Sequence, residues 1–204
     1  MTQWGMVMDL KRCIGCQACT VACMQENSVP RGVRWTETVS EEIGTYPEVT
    51  RAYVPLICNH CEEPPCERVC PTTATYITAD GIVLVDDKKC IGCGACITAC
   101  PYKNRVKLKA APFKKGLYEL GILTPFEQQG YPRFTVGTAV KCTFCHERVA
   151  AGLVPACVNT CVAKARIFGD LDDPNSEVRK LISSRKGYQP LAELNTKPKV
   201  FYVD

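Results

Sequence analysis

The apolar residues of this chain fall in short runs, each broken by turn residues. Gly5–Leu10 and Gly81–Val85 are two such runs, both placed just ahead of a cysteine loop, and they predict strands. Val49–Ile57 alternates enough to predict another, and the tail Lys199-Val200-Phe201-Tyr202-Val203 alternates like an edge strand. Val178, Leu181 and Ile182 give one apolar helical face, with Asp173 as the expected cap, Pro174 at the first helical position and Gly187 as the end. Thr20-Val21-Ala22 and Ile97-Thr98-Ala99 predict short helical turns that carry a cysteine at their ends, and Pro71 and Pro101 stop such turns. No apolar run reaches about 18 residues, so no membrane span is expected. Met1–Lys11 lacks the charged-then-apolar layout of a signal peptide.

The chain has 204 residues, enough for one large domain or two small ones. Lys plus Arg is 25 against 21 Asp plus Glu, and a net +4 is too mild to argue for nucleic acid. Cysteine changes the picture. There are 16, and without them the hydrophobic fraction of 46% falls to about 38%, thin for a purely hydrophobic core. Something other than aliphatic side chains must fill part of the interior. Disorder is excluded by the recurrence of apolar residues along the whole chain.

The cysteines come in four sets of four, with none left over. Motif I is Cys13, Cys16, Cys19 and Cys23. Motif II is Cys58, Cys61, Cys66 and Cys70. Motif III is Cys90, Cys93, Cys96 and Cys100. Motif IV is Cys142, Cys145, Cys157 and Cys161. Motifs I and III read C-x2-C-x2-C-x3-C, the bacterial ferredoxin run, in which three thiolates hold one [4Fe–4S] cluster and the fourth ligates its neighbour. Motif II lengthens the second gap and motif IV replaces it with an 11-residue loop, but both keep the x3 step. Disulfides fit poorly, because three cysteines within seven residues cannot all find partners without strain. Zinc has no use for the third C-x2-C step. Cys142-Thr143-Phe144-Cys145-His146 matches a c-type haem attachment site, yet haem would strand Cys157 and Cys161. The two histidines, His60 and His146, lie inside cysteine motifs and read as residues beside a cluster or at the surface.

A repeat organises these motifs. Met8–Cys23 and Val85–Cys100 align at a constant offset of 77, matching Asp9 with Asp86, Lys11 with Lys88, Gly15 with Gly92 and Ala18 with Ala95. Gly15 and Gly92 sit where the chain must bend tightly around a cluster. Strand, cysteine loop, short helix and fourth ligand make half of a two-cluster ferredoxin. The expected fold class is therefore α+β, two ferredoxin-like modules with irregular insertions. The residues leave two pairings of motifs open, adjacent (I with II, III with IV) or nested (I with IV, II with III). Residues 24–57 form a long connection. Residues 101–141 hold eight basic residues (Lys103, Arg105, Lys107, Lys109, Lys114, Lys115, Arg133, Lys141) against Glu119 and Glu127. Phe113, Leu117, Leu120, Ile122, Leu123 and Phe126 interleave with those charges. The segment reads as a solvated loop or a half-buried arm that docks a partner. Lys11, Arg12, Lys88 and Lys89 flank two motifs, and a solvated face is the plainer reading of each.

No dinucleotide fingerprint or P-loop is present, and every cluster has four thiols available. The chemistry implied is electron transfer, with no active site on this chain. At the cysteines the sequence resembles a known family: the four-cluster iron–sulfur subunit of the complex molybdopterin oxidoreductases, a group that includes polysulfide, thiosulfate, tetrathionate, dimethyl sulfoxide and respiratory arsenate reductases. The matching stretches are CIGCQACTVAC, CNHCEEPPCERVCPTTA, DGIVLVDDKKCIGCGACITACPY, KCTFCHERVAAGLVPACVNTC and GDLDDPNS. Val162 stands where a proline is common in the family. The resemblance implies the nested pairing: Cys13, Cys16, Cys19 and Cys161 hold cluster a; Cys142, Cys145, Cys157 and Cys23 hold cluster b; Cys58, Cys61, Cys66 and Cys100 hold cluster c; Cys90, Cys93, Cys96 and Cys70 hold cluster d. It implies modules of residues 1–57 plus 141–204 (motifs I and IV) and 58–100 (motifs II and III), with 101–140 as an insertion. It implies a large catalytic subunit with a molybdenum or tungsten bis-pterin, and a membrane quinone-interacting subunit or soluble carrier as the other redox partner. It also implies a periplasmic address, reached folded alongside a twin-arginine partner. The alternatives are a cytoplasmic location and, for function, a free-standing soluble polyferredoxin.

Overall fold

The computed structural model describes residues 2–204. β1 (Trp4–Asp9) is buried from Gly5 to Asp9 without a break, the mark of a strand covered on both faces. It is the centre of a three-stranded sheet. β8 (Arg166–Asp170) pairs with it antiparallel and β9 (Val200–Val203) parallel, in the order β8-β1-β9. The predicted edge strand is thus an edge strand. Alternation sorts the two faces of β1. Met6 and Met8 enter a core that also contains Cys19, Cys58, Cys142 and Cys157. Val7 enters a separate core with Ile167, Val178 and Val203.

The second core is closed by α8 (Glu177–Ser184), whose Val178, Leu181 and Ile182 form the predicted apolar face. Its start differs from expectation. Ser176, not Asp173, is the N-cap, and its Oγ accepts the Arg179 N–H at 3.3 Å. The Asp173 carboxylate instead accepts the Asn175 N–H at 2.8 Å, closing an Asx-turn ahead of the helix. Competition between two good capping residues three positions apart goes to the one whose hydroxyl meets the first turn. Arg185 follows the helix and grips buried Asp9, with Nη2 3.1 Å from Oδ1. Burial raises the Asp9 carboxyl, but hydrogen bonds from Arg185 and the Arg12 amide outweigh it and hold the group below its ordinary value.

The 77-residue repeat is a repeat of structure. α1 (Ala18–Asn27) and α3 (Ala95–Thr98) both follow a left-handed residue, Gln17 and Gly94. Cys13 N–H donates to Asp9 O at 3.2 Å, and Cys90 N–H to Asp86 O at 3.1 Å. Ahead of α3, β4 (Thr75–Ile77) and β5 (Val83–Val85) pair antiparallel, as β8 and β1 do. A second offset, of 91, relates the last two cysteines of motif II to those of motif IV. α2 (Pro65–Arg68) and α7 (Ala156–Asn159) each begin after a proline, Pro64 and Pro155. The two offsets meet at the strand ends. Asp9 N–H donates to Ala165 O at 2.8 Å, and Asp86 N–H to Ala74 O at 2.7 Å.

The connection 24–57 holds a long antiparallel hairpin, β2 (Thr36–Thr45) with β3 (Glu48–Ile57). Only Val49–Ile57 was foreseeable from alternation, because β2 is rich in polar residues and solvent-facing beyond its first turn. The hairpin root is buried at Thr36 and Ile57, and Gln17 fastens it to motif I, Nε2 donating to Thr38 O at 2.6 Å.

Residues 101–141 are neither a loop nor a uniform arm. Their ends pair as β6 (Val106–Lys107) with β7 (Ala139–Val140). Leu108 is buried with Val29 and Val33, and Phe113 and Phe134 pack against them. Between lie α4 (Ala110–Lys115) and α5 (Pro125–Gly130), the latter opened by a Thr124–Glu127 capping box. Glu127 is consumed structurally, accepting from Tyr131 Oη at 2.8 Å. Leu117, Tyr118, Leu120 and Ile122 form an exposed tip. No helix among the described residues is long and apolar enough to cross a membrane.

Val178 is fully buried between α8 and β1. Val178→Ala should cost about 2 kcal/mol by opening a cavity. The expected readout is a lower unfolding temperature with iron content unchanged, since no thiol touches that core.

Candidate metal centres

The third cysteine of every motif rides on a short helix; in motifs I to III the first two sit on the loop before it, whereas in motif IV α6 (His146–Ala150) separates them from α7. Cys19 and Cys23 lie in α1, Cys66 in α2, Cys96 in α3 and Cys157 in α7. After three of the motifs the chain turns left-handed at the third residue beyond the last cysteine: Thr73, Lys103 and Lys164. Each donates its N–H to that cysteine's carbonyl, at 3.2, 3.2 and 3.0 Å. The turn returns the chain to the strand that flanks the site.

All sixteen cysteines are free thiols. The fold gathers them around four small cavities. Cys13, Cys16, Cys19 and Cys161 line one. Cys23, Cys142, Cys145 and Cys157 line the next. Cys58, Cys61, Cys66 and Cys100 line the third, and Cys70, Cys90, Cys93 and Cys96 the fourth. Each cavity therefore takes three thiols from one motif and the last from another.

Among the described residues, no three His, Cys, Asp or Glu side chains converge closely enough to hold a single ion. Four thiols spread around a cavity suit a multi-atom inorganic cluster better than a zinc ion, which draws its ligands onto one point. The surroundings fit an anionic sulfur-rich group as well. Backbone N–H groups already point at thiol sulfur: Ala165 to Cys161 at 3.2 Å, Phe144 to Cys142 at 3.4 Å and Thr75 to Cys70 at 3.5 Å. Asn27 Nδ2 lies 3.6 Å from Cys23 Sγ and 3.7 Å from Cys145 Sγ. Such donors raise cluster potentials and hold ligands in place.

Burial dominates the ionisation of these thiols. It pushes Cys61 up to about 12 and Cys157 up to about 11, and Cys142 and Cys23 well above the ordinary value. Cys70 is lowered, because hydrogen bonds led by the Thr75 amide overcome its slight burial. Clusters bind thiolates, so metal must displace these protons.

Gly15 and Gly92 bend as expected, at φ 67° and 68°. A Cβ on Gly92 would stand 2.2 Å from the Gly137 carbonyl oxygen, and on Gly15 2.2 Å from the Tyr53 ring.

Several charged residues beside the cavities were not evident from composition. Arg105 and Lys141, counted with the basic loop, are buried, and so are Arg166 and Lys199. The recurrence that marks the arginines was present in the sequence: each lies five residues after the last cysteine of its motif, Cys100 or Cys161. His60 is not a surface residue. It is wholly buried, stacks on Phe144 at 3.8 Å between ring centroids, and accepts the Val83 N–H on Nδ1. Burial and the cations Lys141, Lys199 and Arg105 depress its basicity and keep it neutral. Arg12 and Lys89, by contrast, are exposed ion-pair partners of Asp9 and Asp86.

A mixed helix–strand fold with thiols gathered in fours defines a ferredoxin-like protein for [4Fe–4S] clusters. Comparison with known proteins agrees. The 4Fe-4S dicluster domain family matches residues 49–116 and 123–171, and a 4Fe-4S binding domain family matches 4–25. A selenate reductase subunit of Mesobacillus selenatarsenatis is 44% identical over 212 residues, covering 98% of this chain and 72% of the relative. The arsenate respiratory reductase iron-sulfur subunit of a Shewanella species is 38% identical, covering 98% and 95%. A tetrathionate reductase subunit of Salmonella typhimurium is 40% identical, covering 98% and 72%. The chain belongs to the iron–sulfur electron-transfer subunits of the complex molybdopterin oxidoreductases.

Gly92→Ala should lose the cluster of its own cavity, because both the backbone angle and the Gly137 contact oppose a side chain. Iron per chain is expected to fall from about sixteen to about twelve. Retention of full iron would show that the loop yields.

Proposed function

We propose that the sixteen thiols hold four [4Fe–4S] clusters in the nested sets a to d, and that the chain relays electrons between a pterin-bearing catalytic subunit and a second redox partner. The observation that carries this reading is the membership of the four cavities, each lined by one of those sets. The strand pairs support it. β1 and β8 join the strand before motif I to the strand after motif IV, and β4 and β5 do the same for motifs II and III. On this reading residues 1–57 with 141–204 form one module and 58–100 the other.

The sites then run in the order a, b, c, d. One core contains Cys19 of set a, Cys142 and Cys157 of set b and Cys58 of set c. Another contains Cys66 of set c with Cys90 and Cys96 of set d. The stack of His60 on Phe144 sits at the junction, since His60 lies between Cys58 and Cys61 and Phe144 between Cys142 and Cys145. Cys16 and Cys93, related by the repeat, are the two exposed cysteines. Ile14 and Val162 lie bare beside the first, Ile91 beside the second. Terminal sites at the surface and middle sites in the core suit a wire with two docking ends. Bound clusters would supply one-electron carriers. The polypeptide fixes their spacing, excludes water from the middle pair and exposes the ends.

The partner is read from the relatives, which are named as subunits of selenate, arsenate and tetrathionate reductases. A permanent complex with a large molybdenum or tungsten bis-pterin subunit should bury on the order of 2,000 Å² or more. The apolar tip Leu117–Ile122 is the part of the insertion left free to join that interface.

Three experiments test the reading. Anaerobically prepared protein should contain roughly sixteen irons and sixteen labile sulfides. Cys161→Ser should alter the spectrum of the cluster held by Cys13, Cys16 and Cys19 and spare both clusters of motifs II and III. Loss confined to the motif III cluster would overturn the nested sets. For the partner, Leu120→Glu with Ile122→Glu should keep all iron yet weaken co-purification of the catalytic subunit. Unchanged co-purification would place the interface elsewhere.

A further inference from the structure

Two guanidinium groups are buried where a positive charge is hardest to justify. Arg105 and Arg166 are each 3% exposed. Among the described residues neither has a carboxylate partner. Nη1 and Nη2 of Arg166 lack any hydrogen-bond partner, as do Nε and Nη2 of Arg105, whose Nη1 donates to Thr75 Oγ1 at 3.0 Å. A buried cation left unpaired costs several kcal/mol, so a compensating negative charge must lie close by. The groups within reach are thiols. Arg166 lines the cavity of set a, and its charge bears on Cys157, Cys19 and Cys142, which span sets a and b. Arg105 lines the cavity of set c, and its charge bears on Cys66 and Cys58 of set c and Cys96 of set d.

The arrangement is not a by-product of the repeat. Under the offset of 91, Arg166 corresponds to Thr75. Under the offset of 77, Arg105 corresponds to Ser28. Both arginines lie five residues after the last cysteine of their motifs, III and IV, but neither has an arginine at its partner position in motif I or II. Each delivers a guanidinium to the seam between two thiol sets. Arg105 even lies against Thr75, the counterpart of Arg166.

We propose that Arg105 and Arg166 are potential-setting residues, each placing one permanent positive charge between the two clusters of a pair and raising the reduction potential of both. The inference rests on the ligand sets proposed above. Its physical basis is direct. An added electron makes a cluster more negative, and a fixed cation in a low-dielectric interior stabilises that state more than the oxidised one. A charge shared by two neighbours moves both in the same direction, so an electron can be held on either without a large step between them. Guanidinium suits the task because its delocalised charge persists when buried.

The test is potentiometric titration of the assembled protein followed by electron paramagnetic resonance, in Arg166→Gln, Arg105→Gln and the corresponding Lys variants. Ligand variants such as Cys161→Ser assign each signal. Arg166→Gln should lower the one-electron reduction equilibrium of clusters a and b at least tenfold, about 59 mV, and leave c and d in place. Arg105→Gln should do the reverse. The Lys variants should retain iron and keep both potentials near those of the unaltered protein. Gln variants with full iron and unmoved potentials would overturn the proposal. Should a Gln variant shed iron, the Lys variant decides. Iron restored with unaltered potentials supports the role. Lowered potentials despite the lysine, or iron lost there too, overturn it. A failure of the ligand sets themselves would show separately, in Cys161→Ser with both arginines intact.

Discussion

The packing of thiols around four internal cavities is the constraint on which the rest of this protein depends. Side chains that would be aliphatic in an ordinary domain of this size are replaced by cysteines, and the main core is built from Met6, Met8, Ile57 and Phe144 together with Cys19, Cys58, Cys142 and Cys157. Filling its cavities should stabilise such an interior, because voids and unpaired buried polar atoms both cost free energy. Metal binding then contributes to folding stability. The β8-β1-β9 sheet shows the consequence. One face of β1 rests on thiols, and the other rests on α8 through Val7 and Val178.

A second constraint follows from charge. A cluster bound by four thiolates is an anion inside protein, and the fold answers with buried cations and aimed N–H groups. Arg105, Lys141, Arg166 and Lys199 are all withdrawn from water. Lys141 Nζ donates to the Val83 and Cys142 carbonyls, and Lys199 Nζ to Gly81 O at 2.6 Å. These ammonium groups find carbonyl partners, while the arginines are left facing sulfur. The net charge of +4 conceals this, because charges that matter for redox chemistry are a small inward-facing fraction of the total.

The outward surface is organised by the same repeat. Cys16 and Cys93, related by an offset of 77, are both exposed, with the bare aliphatic residues Ile14 and Ile91 two positions before them. The polar β2–β3 hairpin and the 117–122 tip project from the connections between motifs, where insertion costs little because no ligand lies within them.

What the sequence determined by itself was the chemistry. Four motifs of four cysteines, with two of ferredoxin spacing, specify cluster type and number through local spacing alone, since three thiols of each site lie within a few residues of one another. The 77-residue repeat, β1, β9, the apolar face of α8 and the bends at Gly15 and Gly92 were legible for the same local reason. Only the tertiary structure decided which distant cysteine approaches each trio, because spacing within a motif says nothing about the strand pairing that brings motif IV beside motif I. It also decided that Ser176 rather than Asp173 caps α8, that His60 is core, and that two of the eight cations in 101–141 turn inward. Those outcomes depend on the competition among neighbours for space and hydrogen bonds in a packed interior, which no periodicity along the chain records.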